Sequence, residues 1–242
     1  MLQGEFRVGR GPHRLLAVAG GVILLLFTAV PALSAGSVTE AAQEGYALLG
    51  RFEAERALSV VGRALEDHPD SAALQGVKGA ALFSLGRYDE AVEWLARAAA
   101  GEGADPRVEA MADLARRTPT IVSAFSKHTS EHFTVYLDEG ADGLLAPYVL
   151  EALERARQRL GMDLGYYPSG DLRVEIYATA DAFCQASGLS RRDIEVSGAV
   201  GLCRHNKIMA LSPRALVKGY RWLDTLCHEY VHYVLTRLTQ NN

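Results

Sequence analysis

Residues 79–98, GAALFSLGRYDEAVEWLARA, contain the pattern that decides the first half of the fold. The small residues Gly79, Ala91 and Ala98 stand among large apolar residues at spacings typical of two helices that pack together. Gly86 lies between the two apolar runs, where it favours a turn. These residues therefore predict a helical hairpin whose two helices approach closely at the small side chains.

A second copy of this pattern lies earlier in the chain. Leu-Gly-Arg-Phe at residues 49–52 returns as Leu-Gly-Arg-Tyr at residues 85–88. A repeat of about 34 residues, with a Gly turn before an aromatic residue that opens the second helix, is typical of tetratricopeptide repeats. Residues 40–100 resemble that family. We therefore predict helical hairpins and a third helix over residues 36–117, which act either as a docking surface for a protein or as a spacer.

The first 35 residues resemble an export signal. Arg7, Arg10 and Arg14 precede an uncharged apolar run over residues 15–30, and small residues follow Pro31. This predicts a cleaved signal peptide or a retained N-terminal membrane anchor over residues 1–35. The rest of the chain is then exported to the bacterial periplasm, the cell envelope or the medium. The net charge of -4 means that the chain lacks the excess of basic residues typical of proteins that bind nucleic acid.

The pattern changes from helical to mixed after residues 118–120. Two segments alternate like half-buried strands, and a later segment has the composition of a hairpin, at residues 131–137, 171–177 and 197–211. Helices are predicted between and after them, at 142–161 with Asp142 as its cap, at about 180–187 with Thr179 as its cap, and at 221–239. Residues 118–242 are therefore predicted to be an α+β domain with helices packed against one sheet.

The most specific motif is His228-Glu229-Tyr230-Val231-His232. Because residues i and i+4 share one face of a helix, His228 and His232 can bind one zinc ion. Glu229 lies about 100° around the helix from His228, where it can accept a proton from a water activated by the metal. The motif predicts a zinc site with two His ligands and a Glu general base.

Apolar residues on both sides of the motif, among them Leu226 and Leu235, predict that its helix is deeply buried. In such a helix, two His and one Glu would be costly without a metal ion or hydrogen-bond partners. The alternatives are a His pair satisfied by hydrogen bonds and a degenerate site that no longer binds zinc.

Residues 131–242 are similar to the peptidase MA-like metallohydrolases, a gluzincin-type family often joined to tetratricopeptide repeats. The similarity rests on the strand at 174–177, the hairpin at 198–211 and the Cys-His-Glu-Tyr-Val-His segment at 227–232. It implies a zincin-like sheet with an active-site helix, Zn²⁺ as cofactor and a protein or peptide as substrate. It also implies that His228 and His232 bind the zinc and that Glu229 is the general base.

One departure from that family concerns the third zinc ligand. In gluzincins it is a Glu roughly 20 residues beyond the second His, whereas this chain ends at Asn242, 10 residues after His232. We therefore expect a chain truncated within the catalytic domain, with weak zinc affinity. Asp224 lies one turn before His228, and we expect it to support the site or to cap the helix.

The remaining candidate residues are weaker. His205 lies at the predicted hairpin tip and is interpreted as a solvated turn residue, or as a substrate contact. The three cysteines, Cys184, Cys203 and Cys227, are interpreted as small buried residues, with pairing of two of them as the alternative. Two functions follow: an exported zinc metallopeptidase, or a non-catalytic repeat adaptor with a defunct hydrolase domain.

Overall fold

The computed structural model describes residues 38–101 and 105–240. The signal peptide or anchor expected over residues 1–35 lies outside these ranges. Within them, no helix is both long enough and apolar enough to cross a bilayer.

The first part of the chain is helical, as predicted. Its helices are α1 (Val38–Gly50), α2 (Ala54–Asp67), α3 (Ala72–Ser84), α4 (Tyr88–Ala99) and α5 (Pro106–Val122). Helices α1 with α2 and α3 with α4 form the two expected hairpins. Helix α5 continues through Pro119 and ends at Val122, five residues beyond the predicted end at residue 117. Beyond the proline, Ile121 and Val122 are partly buried against the neighbouring cores, so their packing supports the last turn of the helix.

Close packing between α3 and α4 depends on Gly79. A Cβ atom at this position would lie 2.5 Å from Cγ of Leu95, which is fully buried. Gly62 in α2 differs, because a Cβ atom there would meet nothing within 4 Å.

We expect Gly79→Ala to lower the free energy of unfolding by about 1–3 kcal/mol, because the added methyl group overpacks the α3–α4 contact. Gly62→Ala is the matched control, since it makes the same change in an unobstructed helix. It should raise stability by up to about 1 kcal/mol. Urea unfolding of both variants checks the pair, and equal effects would contradict this account of the packing.

The second part of the chain contains a five-stranded sheet. Its strands are β1 (Phe125–Thr129), β2 (Phe133–Asp138), β3 (Leu172–Tyr177), β4 (Gly201–Arg204) and β5 (Lys207–Leu211), in the order β1-β2-β3-β5-β4. Strands β2, β3 and β5 are parallel, whereas β1 and β4 are antiparallel to their neighbours and form the edges. This mixed sheet confirms the predicted α+β class.

Further helices connect and cover the strands. They are the short α6 (Glu139–Asp142), α7 (Ala146–Leu164), α8 (Ala180–Ser187), α9 (Arg191–Ser197) and α10 (Trp222–Thr239). The main core lies between the sheet and helices α7 and α10, where Val135, Val174 and Ile208 meet Leu153 and Leu226. A smaller core around Tyr177 and Phe183 lies on the side of α8.

Three elements, β1, the short α6 and α9, were not predicted, and one predicted cap was wrong. Strand β1 was missed because its sequence, FSKHT, does not alternate, and α9 because its capping signal at Ser190 lies close to the hairpin. Asp142 does not cap α7, which begins four residues later. Its buried Oδ1 instead accepts hydrogen bonds from Ser212 and Arg214. The predicted cap at Thr179 is confirmed by the hydrogen bond from the Ala182 N–H to Oγ1.

A buried polar cluster joins the repeats to the sheet. Glu175 on β3 is fully buried, and its carboxylate lies 2.9 Å from Nζ of Lys207 and 2.6 Å from Nε of Arg173. Tyr88, the first residue of α4, donates its hydroxyl hydrogen bond to the same carboxylate. Although burial alone would raise the pKa of Glu175, Lys207 and Arg173 lower it to about 2. The cluster therefore links the repeats to the sheet, because Tyr88 of α4 bonds to the carboxylate of Glu175. Each charged group in the cluster is stabilised in its buried position by the opposite charge beside it.

The β4–β5 turn also contacts the repeats, which corrects the expectation for His205. The turn consists of His205 and Asn206 with φ of 52° and 56°, a two-residue connection that matches the twist of the strands. The ring of His205 packs edge-on against Phe83 of α3, with 5.3 Å between centroids. His205 is therefore not a solvated turn residue, because the repeats cover it.

This environment predicts a pH dependence of stability. Burial, aided by the charges of Lys207 and Arg204, lowers the pKa of His205 from 6.5 to about 3. Between these values the unfolded chain binds a proton that the folded chain does not, so stability falls as the pH falls. Against His205→Asn, the wild type should lose up to about 1.4 kcal/mol more per pH unit in this range. Urea midpoints of the wild type and of His205→Asn that fall equally as the pH falls would contradict this prediction.

Candidate metal and catalytic site

Helix α10 carries the motif, and its two faces differ. Leu226, Tyr230 and Val234 are buried in the main core, whereas both His228 and His232 are exposed. Leu235 is 41% exposed. The expectation of a deeply buried helix was therefore wrong, because only one stripe of α10 packs against the sheet. Among His228, Glu229 and His232, only Glu229 is buried, so the free-energy cost of burying a polar group applies to Glu229 alone. This cost does not require a metal ion at the two exposed His.

The imidazole rings of His228 and His232 lie side by side. Their Nε2 atoms are 3.0 Å apart, and the rings cross at 85°. Two nitrogen ligands at about 2.0–2.1 Å from a tetrahedral zinc ion would lie roughly 3.3 Å apart, so the separation of this pair is close to that of two zinc ligands. A hydrogen bond between one protonated and one unprotonated Nε2 fits the same distance. The pair therefore fits two positions of a zinc site and also fits the hydrogen-bonded alternative.

Glu229 is the buried member of the motif, with 9% of its surface exposed. Burial raises the pKa of its carboxyl group, and the neighbouring His232 and His228 oppose this in part. The backbone N–H of Cys203 donates a hydrogen bond to the carboxylate. Glu229 is thus held beside the two imidazoles in a setting that makes it a stronger proton acceptor than a solvated Glu.

Strand β4 lies directly against this carboxylate. A Cβ atom at Gly201 would lie 2.6 Å from Cγ2 of Thr225 and 3.1 Å from Cγ of Glu229, so only glycine allows this approach. Because β4 is an edge strand, every second residue turns its backbone N–H and C=O away from β5. Cys203 is one of these residues, since its N–H reaches Glu229.

Other candidate ligands lie elsewhere. Asp224 pairs with Arg221 on the helix surface and does not cap α10, whose N-cap residue is Arg221. His132 hydrogen bonds to Glu154, and His128 to Glu139. Over residues 38–101 and 105–240, no group of three or more His, Cys, Asp or Glu side chains is arranged to hold a metal ion. The described part of the site therefore comprises two imidazoles and one carboxylate.

The thiol groups of the cysteines take no part in this arrangement. All three are free and partly buried, so the alternative of a pair does not apply. Sγ of Cys227 points away from His228 towards the backbone oxygen of Ala152 on α7, at 3.9 Å. Neighbouring residues on a helix point in different directions, and the geometry matches that expectation.

Fold and site together define a protein in which helical hairpins are joined to an α+β domain with a His-Glu-His helix. Residues 48–114 match the model of the tetratricopeptide repeat family, which confirms the predicted repeats. Proteins of curated function gave no match to this chain. Solved structures gave none either.

Proposed function

We propose that this chain is an exported, zinc-dependent hydrolase of the peptidase type. The observation that carries the proposal is the juxtaposition of His228 and His232, with Nε2 atoms 3.0 Å apart, beside the buried Glu229. His228 and His232 would hold the zinc ion as neutral nitrogen ligands, and any third ligand would come from outside the described residues.

The chemistry divides between the metal and Glu229. A zinc ion at this place would polarise the substrate carbonyl and lower the pKa of an attacking water towards about 7. Glu229 then accepts a proton from the nucleophile and returns it to the leaving amine. Its raised pKa suits both steps, because it brings proton affinity closer to neutral pH. The Cys203 N–H fixes the carboxylate in place.

The edge of β4 offers a place for an extended peptide. Apart from the Cys203 N–H, which Glu229 occupies, its outward backbone groups are placed to pair with a peptide, which would be added to the sheet as a further strand. Backbone pairing of this kind is tolerant of side chains, so it suits a protein or peptide substrate. It also keeps a scissile carbonyl in the region where Glu229 and the two imidazoles meet.

The repeats contact the site helix as well as the sheet. Phe52, between α1 and α2, stacks on Tyr233 with 5.7 Å between ring centroids, and Arg237 donates a hydrogen bond to the backbone oxygen of Phe52 at 2.8 Å. Tetratricopeptide repeats commonly bind proteins on their extended surfaces. We propose that they position a protein partner or substrate relative to α10.

Zinc titration of the full chain tests the proposed ligands. His228→Ala and His232→Ala should each weaken zinc binding by more than the roughly 10- to 100-fold typical of losing an outer-shell partner. The affinity can be measured by competition with a chromophoric chelator. His68→Ala, which removes an exposed His at the end of α2, is the matched control and should leave zinc binding unchanged. Equal zinc binding by all four proteins would exclude this ligand assignment.

The second candidate function is a non-catalytic adaptor. It is favoured by the repeat match over residues 48–114 and by the His pair, whose rings also satisfy each other by a hydrogen bond. Binding of a protein partner would then be indifferent to chelators and to His228→Ala. A partner captured only in the presence of zinc would argue against the adaptor.

A further inference from the structure

A cavity of about 400 Å³ lies between the repeats and the β4–β5 turn. Helices α1, α3 and α5 form its walls, and the turn residues Arg204 and His205 close one side. The walls are mainly apolar, with Leu49, Ala80 and Met111 among them. This volume is within the usual range for a site that binds a small molecule.

The β4–β5 turn closes the cavity with one packed ring and one charged side chain. His205 lines the cavity while its ring packs edge-on against Phe83. Its Nε2 atom is buried from solvent, so this atom is not available to a ligand in the cavity. The polar contacts of a ligand would therefore come from the neighbouring arginines.

The charges at the cavity are positive. Arg204 and Arg107 both line it, and Arg107 also forms an ion pair with Asp105. A second cavity of about 410 Å³ shares Arg107, Arg204 and His205 and adds Arg117, together with one carboxylate, Asp113. Guanidinium groups beside an apolar space favour a molecule with an apolar body and an anionic end.

We propose that this cavity binds a small amphipathic carboxylate, whose apolar chain occupies the space between α1, α3 and α5. The carboxylate meets the guanidinium groups of Arg107 and Arg204. This site is separate from His228, Glu229 and His232, and it does not depend on the hydrolase proposal.

Occupancy would act on two elements of the candidate catalytic site. The His205 turn continues into β4, whose Cys203 N–H holds Glu229. Phe52 also lines the cavity and stacks on Tyr233, the residue after His232. The cavity therefore lies where a ligand would stabilise the contacts between the repeats and both catalytic elements.

Isothermal titration calorimetry of the full chain with decanoate, in the presence of a zinc chelator, tests the proposal. We expect saturable binding of one decanoate per chain, and binding of uncharged decan-1-ol weaker by about tenfold or more. The double variant Arg107→Gln, Arg204→Gln should lose about the same factor for decanoate and little for decan-1-ol.

A cavity-filling variant locates the site. Ala80→Leu adds an apolar side chain within the cavity and should abolish decanoate binding, whereas Ala73→Leu, on the exposed face of the same helix, should leave it unchanged. Circular dichroism confirms folding, and the Arg variants test the site if Ala80→Leu does not fold. Absence of binding, equal binding of both probes, or binding unaffected by Ala80→Leu in a folded protein would each overturn the proposal.

Discussion

Glu175→Ala should destabilise this protein more than any other single substitution in the interface between the repeats and the sheet. The change leaves Lys207 fully buried without the carboxylate that lies 2.9 Å from its Nζ. Removing one member of a buried ion pair typically costs about 3–5 kcal/mol, because the other charge stays uncompensated. Since whole domains have only about 5–15 kcal/mol of stability, a large part of it should be lost.

Urea unfolding, followed by circular dichroism, measures this effect. Glu90→Ala is the matched control, because it breaks a pair between two exposed side chains, Arg87 and Glu90, and should change the midpoint little. The double variant Glu175→Met, Lys207→Met should recover much of the loss, since it removes both charges and fills the space. A midpoint for Glu175→Ala equal to that of Glu90→Ala would show that the cluster does not hold the interface.

Glu229→Gln should lower hydrolysis of a peptide substrate by about 10²- to 10⁴-fold, the usual contribution of a positioned general base. The amide has nearly the same shape as the carboxylate but cannot accept the proton. Zinc binding should persist, because Glu229 is not one of the proposed ligands. A fluorogenic peptide library with zinc-loaded protein provides the assay, and metal analysis of the same samples provides the second readout.

A matched control for this variant is Glu151→Gln, on the exposed face of α7, where Glu151 pairs with Arg155. It makes the same chemical change away from the site and should keep full activity. Activity that survives Glu229→Gln, or wild-type protein that carries zinc yet cleaves none of the library, would count against the hydrolase and in favour of the adaptor.

Local patterns predicted much of the fold. The Gly79 spacing predicted the α3–α4 hairpin, and a Cβ atom at this position would indeed collide with Leu95. Thr179 caps α8 as expected, and residues 204–207 form the predicted hairpin turn. These features depend on neighbours within a few residues or within one repeat, so the sequence contains all the information that they need.

Features that depend on distant residues were not predicted. Residues 171–177 were predicted to form a half-buried strand, but Glu175 in this strand is fully buried, and Tyr88 reaches it from 87 residues away in the sequence. His205 was expected to be solvated at a hairpin tip, but the repeats cover it as well. For the candidate site, the spacing predicted that His228 and His232 would share a face, but not that this face would be exposed. Tertiary packing sets all three outcomes, and a periodic pattern does not encode it.

X-ray absorption spectroscopy at the zinc edge tests the central proposal most directly, because it counts the imidazole ligands of the bound metal. For the zinc-loaded full chain, we expect two imidazole nitrogens at about 2.0–2.1 Å. The imidazole signal should be absent after the double change His228→Ala, His232→Ala and should be retained after Glu229→Gln. A spectrum without imidazole scattering, or one that the double change leaves unaltered, would contradict the proposal that these two residues hold the zinc.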